Sequence, residues 1–112
     1  VQAPRAHADN GWVINALHST ALSGMRAASA RIDMAGHNIA NLATAGFRRQ
    51  VAVPQELPSG GVQVRISTAA APGASMAEDL VAQRVALRSL QANFAVFRSA
   101  DEALGTLLAA RA

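Results

Sequence analysis

The chain contains no cysteine, no lysine and no tyrosine. Without cysteine there are no disulfides, no thiolate metal site and no cysteine nucleophile, although the compartment stays open. Every one of the 10 basic residues is therefore arginine, set against 7 acids for a net charge of +3. Nucleic-acid binders usually carry a denser basic face, so no nucleic acid is expected as a partner. Aromatics are scarce, with Trp12, Phe47, Phe94 and Phe97 the full set. Long apolar runs are missing too. The uncharged stretch between Asp9 and Arg26 holds Asn10, Asn15 and His18, which leaves it too short and too polar to span a bilayer. No stable membrane insertion is expected. Nor does a basic region followed by a continuous apolar run stand near the start, so no cleaved secretory signal is expected.

What is present is alanine. Apolar residues make up 51% of the 112 positions, and alanine supplies much of that share. Alanine buries little area, so a core built from it is thin for the chain length. Such a composition favours long helices that complete their burial against other chains.

Residues 1–11 carry no period and include Pro4, and they read as a flexible arm in which Asp9 or Asn10 caps the helix that follows. Over 12–44 the apolar positions step by three and four. Ile14, Ala21, Ala28, Ala35 and Leu42 form one column. Met25, Ile32 and Ile39 form another, with His18 at its upstream end. This is a heptad-like seam on one long helix. Gly24 and Gly36 lie inside it; each costs about 1 kcal/mol relative to alanine but lets another helix come close. Gly46 suits the position just past a helix end, where positive φ is wanted.

Residues 45–74 lose the helical period and read as a short β-containing insert and linker. "VAV" (51–53) and "VQVRIS" (62–67) alternate as strands do, with "PQELPSGG" between them as a loop. A second helix is expected over 75–112. Ser75-Met76-Ala77-Glu78 is a capping-box pattern, and Asp79 adds negative charge to the first turn. Its seam reads as Leu80, Leu87, Leu90, Phe94, Phe97, Leu104 and Leu108, interrupted by Gln83 and Asp101. The expected fold is mainly α: two long helices as an antiparallel, coiled-coil-like hairpin with a short β-hairpin/loop insert.

Residues that carry chemistry are poorly arranged for it. His7, His18 and His37 form no metal motif; Asp33 and His37 stand four apart on one helix face, which suits an i,i+4 contact better than a ligand pair without a third member. "SGG" lacks the lysine and the following helix of a phosphate loop, and no serine sits in a nucleophile elbow. No catalytic residue, cofactor or metal is expected, and the chain does not read as an enzyme. Arg84, Arg88 and Arg98 read as a solvated face, without interleaved aromatics to stack on bases. Arg48 and Arg49 read as a solvated pair, with a charged subunit interface as the alternative.

The stretch "ALSGMRAASARIDMAGHNIANLATAGFRRQ" (21–50) resembles the N-terminal signature of bacterial flagellar axial proteins, the rod and hook family. Asn38, Ile39, Ala40, Asn41, Thr44, Gly46, Phe47 and Arg48 fall on that motif. "DLVAQRVALRSLQANFAVFRSADEALGTLL" (79–108) resembles the family's C-terminal helix, with Arg84, Asn93, Ala100, Asp101 and Leu104 in place. "SGGVQVRIS" (59–67) is similar to a β-segment of the proximal rod members. Ala43 stands where the family usually has another asparagine, and the insert is short.

The resemblance implies a structural subunit of the flagellar basal body, in the rod that spans the periplasm. It would be exported through the flagellar export apparatus without a cleaved signal, and would assemble with itself and with other rod and axial proteins. Packing would run through Met25, Ile32, Ile39, Leu42 and Phe47 on the first helix and its corner. On the second helix it would run through Leu87, Leu90, Phe94, Phe97 and Leu104, buried first within the hairpin and then between subunits. Asn38, Asn41 and Asn93 would set polar register, with Thr44, Gly46 and Arg48 completing the motif. For Asn38 and Asn41 the local reading is closure of the helix end. For Phe47 it is packing under the corner. The alternative from another class is a soluble helical adaptor or regulator that forms a closed oligomer through the same seams. A basic helical nucleic-acid binder is a third reading, separated by salt-dependent DNA binding.

Overall fold

The computed structural model describes residues 5–111, with side chains described from Gly11 onward. Helix α1 (Arg5–Ala40) and helix α2 (Met76–Arg111) each run for 36 residues. Between them lie β1 (Gln50–Glu56) and β2 (Val62–Thr68), paired antiparallel from Gln50↔Thr68 to Glu56↔Val62. The helices are antiparallel: His18 meets Phe97, Gly24 abuts Asn93 and Asn38 bonds to Asp79. The hairpin folds back along α1 and does not reach α2, so α1 is the middle layer. The result is a rod-like body of 71 × 24 × 15 Å.

Of the arm expected over 1–11, residues 1–4 lie outside the described part and residues 5–11 are helical. Ala6 and Ala8 are strong helix formers and no proline follows Pro4 before the first full turns, so nothing halts the helix at Asp9 or Asn10. The other end is shorter than expected. The helix stops at Ala40, and residues 41–46 form turns. The Asn41 N–H is shared between the carbonyls of His37 and Asn38, at 3.2 Å each, and the Asn41 side-chain amide donates to the His37 carbonyl at 2.9 Å. That carbonyl is one of the helix's last, and it would otherwise lack a partner. Gly46 adopts φ 71° and turns the chain toward β1.

The expected strands extend further than read. β1 takes in Pro54, Gln55 and Glu56, residues assigned above to the loop. Pro54 is tolerated because a two-stranded sheet has an outer edge that needs no N–H. Gly60 and Gly61, at φ 90° and 92°, close the turn. A side chain at Gly61 would run into Ser23 on α1.

The helix–helix seam is made of small residues. Ile14, Ala21, Ala27, Ala28 and Ala35 of α1 and Ala86 and Ala100 of α2 are all buried. Gly24 is buried with them, and a Cβ there would overlap the Asn93 side chain. Small residues let two backbones approach closely, and short separation recovers through dispersion some of what small side chains fail to bury. On α2 the seam is Asp79, Ala86, Asn93 and Ala100, seven residues apart, flanked by the half-buried Gln83, Leu90, Phe97 and Leu104. The apolar stripe read from the sequence is thus displaced by one residue. Leu80, Leu87, Phe94 and Leu108 are exposed, not packed inside the hairpin. The cause is close approach: the helix presents its smallest column to its partner and leaves the bulky one outside.

Candidate functional site: a polar clasp and two uncovered helix faces

Two features stand out on this frame. The first is a buried polar clasp where the corner, β1 and α2 converge on the end of α1. Asn38 and Asp79 are each only 1% exposed and are the largest fully buried side chains among the described residues. Asn38 bonds the backbone of Gln50 on both sides, its Nδ2 donating to the carbonyl at 3.0 Å and its Oδ1 accepting from the N–H at 2.8 Å. A carboxamide has the donor and acceptor spacing of a peptide group, so Asn38 stands in for a neighbouring strand at the start of β1. The same Nδ2 donates to Asp79 Oδ1 at 3.2 Å.

Arg49 completes the clasp. Its Nη2 donates to Asp79 Oδ1, and its Nη1 donates to Glu78 Oε2 at 2.9 Å. The hydrogen bond to Asp79 holds the guanidinium above its ordinary arginine value, with desolvation pulling the other way and the nearby charges of Asp79 and Glu78 adding to the rise. A buried carboxylate without a cation is costly, and Arg49 is the cation that makes this one tolerable. Ser75 accepts the Glu78 N–H at 3.4 Å, which is the serine half of the capping box. The Glu78 carboxylate is spent on Arg49 in place of the reciprocal bond.

The second feature is the outer surface of both helices. Trp12 is 74% exposed, Val81 61%, Leu108 59% and Val85 58%. Val13, Leu17, Leu22, Leu80, Leu87, Phe94 and Val96 are exposed beside them. Scattered surface leucines need no explanation, but large apolar residues repeated along two helices form extended surface that water disfavours.

The residues read as packing positions divide between these settings. Met25, Ile32, Ile39, Leu42, Leu90, Phe97 and Leu104 are half-buried at the margins of the seam. Leu87 and Phe94 are exposed. Phe47 packs at the corner, its ring 5.5 Å from that of His37. Of the polar motif residues, Asn38 is in the clasp, while Asn41 and Thr44 bond each other at 3.2 Å on the corner's surface. Asn93 is at the seam opposite Gly24, its amide turned to the Ser89 carbonyl at 2.8 Å. Arg48 is exposed, whereas Arg49 is not part of a solvated pair but is bound into the clasp. Asp33 and His37 are both exposed and make an open groove with Met34, Gln50 and Ile66.

Asp79 and Arg49 were not singled out by sequence reasoning as parts of one clasp, nor was Ser23 as a partner of β2. Asp79 had a legible signal, since it begins the seven-residue series continued by Ala86, Asn93 and Ala100. Ser23 had none: its Oγ accepts the Val62 N–H at 3.0 Å, across 39 residues of sequence.

The clasp and the small-residue seam lie within or beside one recognisable segment. Residues 19–48, the second half of α1 and its corner, match the family described as flagella basal body rod protein. Over this segment the chain is similar to the flagellar rod family. The rod signature ends at Arg48, one residue before the arginine that binds Asp79. The family so described is a structural component of the flagellar basal body. No curated protein matches the chain. No helix among the described residues is long and apolar enough to cross a membrane.

Proposed function

We propose that this chain is a subunit of the flagellar rod that assembles with itself and with other axial proteins through the outer faces of α1 and α2. The observation that supports this is the distribution of side chains. The hairpin uses its alanines and glycine for its own closure and leaves Trp12, Val81, Val85, Leu87, Phe94 and Leu108 uncovered. Neighbouring subunits supply the missing cover. Met25, Ile32, Ile39, Leu42, Leu90, Phe97 and Leu104, half-buried already, complete their burial in the same contacts. Asn38, Asn41 and Asn93 set the register of the hairpin and its corner, and Thr44, Gly46, Phe47 and Arg48 shape the surface next to them.

On this reading the chain performs no catalysis and takes no nucleic acid. Within the family its kinship is with the proximal rod members, through the "SGGVQVRIS" segment. It reaches the basal body through the flagellar export apparatus. A thin alanine core supports that route, because a body that buries little is unfolded at low cost.

Light scattering across a concentration series, with circular dichroism on the same samples, tests the proposal. Species that grow without a fixed end point as concentration rises support a polymerising subunit. A dimer or tetramer of constant mass at every concentration sinks it in favour of a closed adaptor built on the same faces.

A further inference from the structure

The β-hairpin has one closed edge and one open edge. Ala69 donates to the Arg49 carbonyl at 2.8 Å and Leu57 donates to the Gly61 carbonyl at 3.0 Å. These bonds mark Arg49/Ala69 and Leu57/Gly61 as hydrogen-bonded pairs. Antiparallel pairing alternates, so Val51/Ser67, Val53/Arg65 and Gln55/Gln63 are bonded pairs as well. The intervening residues turn their backbone groups out of the hairpin: Gln50, Ala52, Pro54 and Glu56 on β1, and Val62, Val64, Ile66 and Thr68 on β2.

The outer edge of β1 is blocked. Asn38 occupies both backbone groups of Gln50, and Pro54 has no N–H to offer. On β2, Ser23 takes the N–H of Val62. Among the described residues Val64, Ile66 and Thr68 have no third strand beside them, and Ile66 and Thr68 are exposed. An open edge of this kind is a template for another strand.

We propose that this edge pairs with the same edge of a second copy, antiparallel about a two-fold axis at Ile66. The blocked β1 edge cannot receive it, so a head-to-tail sheet does not form and the pairing closes at two chains. The register follows from three constraints. Centring on Ile66 matches Val64 with Thr68 of the second copy on each side and uses all three open residues, for about six backbone hydrogen bonds at two per bonded pair. It places Arg65 opposite a serine, Ser67, and avoids arginine facing arginine. Centring on Val64 would instead require the N–H of Val62, which Ser23 already holds.

The pairing is separate from the helix faces, so it is tested in full-length chain carrying Phe94→Ser, where helix-face assembly is weakened. Sedimentation across a concentration range is expected to show a reversible dimer that Ile66→Pro abolishes. Proline at this outward position removes the edge donor and spares the hairpin's own bonds, as Pro54 does on β1. Because the chain has no cysteine, I66C and V51C give a second reading that needs no disruptive change. Val51 and Ile66 have similar exposure, but mild oxidation is expected to link I66C chains and leave V51C chains monomeric. A monomer at every concentration, a dimer untouched by Ile66→Pro, or equal cross-linking at both positions overturns the proposal and leaves the edge to a strand from another protein.

Discussion

The inner and outer faces of the helices follow opposite rules. Inside, contact is made by Ala21, Ala28, Ala35, Ala86, Ala100 and Gly24, with Asn38 and Asp79 as the only polar residues fully buried among the described residues. Outside stand tryptophan, phenylalanine, valine and leucine. An ordinary domain would reverse this, placing bulk inside for burial and alanine at the rim. Here the fold within one chain is held by close approach and a few specific polar bonds, while many large apolar side chains of both helices stay exposed. The inner face sets the shape of the chain, and the outer face leaves bulky apolar side chains in water.

The sharpest way to break the inner face is Asp79→Ala. It strands the Arg49 guanidinium and one donor of Asn38, and is expected to cost about 3 kcal/mol of unfolding free energy, read by chemical denaturation. The partial exposure of Arg49 keeps the loss from being larger. Next, two asparagines of one motif should part company. Asn38→Ala removes the amide that holds Gln50 and is expected to cost about 2 kcal/mol, whereas Asn41→Ala loses an exposed helix-end bond worth roughly 0.5–1 kcal/mol. Equal losses in the two variants would mean that burial of Asn38 contributes nothing. Gly24→Ala is a smaller and more delicate case. Alanine gains about 1 kcal/mol of helix propensity, but overpacking against Asn93 costs about 1–3 kcal/mol, for a net loss near 1 kcal/mol. Adding Asn93→Ala should recover most of that loss, and failure to recover it would show that the helices are not in close contact there. The smallest effect on stability belongs to the outer face. Phe94→Ser should change the unfolding free energy of the single subunit by less than about 0.5 kcal/mol. Light scattering of the same variant should nevertheless show association weakened, and an unfolding loss of several kcal/mol would place Phe94 in the subunit's own core.

Much of the fold is legible from residue spacing. The column Ile14, Ala21, Ala28 and Ala35 is both the periodic series in the sequence and the buried line of α1. The Ser75 cap, the positive φ of Gly46 and the two strands follow from local chemistry in the same way. The candidate site was less accessible. Periodicity on α2 offers two parallel series one residue apart, one starting at Leu80 and one at Asp79, and hydrophobicity favours the wrong one for the inner seam. Only the approach distance between helices decides between them. Arg49 shows the same limit, because beside Arg48 it looks like one of a solvated pair until a carboxylate from residue 79 is brought to it.

The sequence by itself determined that this protein is two long helices joined through a capped corner and a hairpin, because helix, cap and turn preferences act over a few residues. It also determined the rod signature of residues 19–48. The tertiary structure alone decided which stripe of each helix faces its partner, which edge of the hairpin stays open and which arginine meets Asp79. Those outcomes depend on groups tens of residues apart, and on the separation that small side chains permit between two backbones.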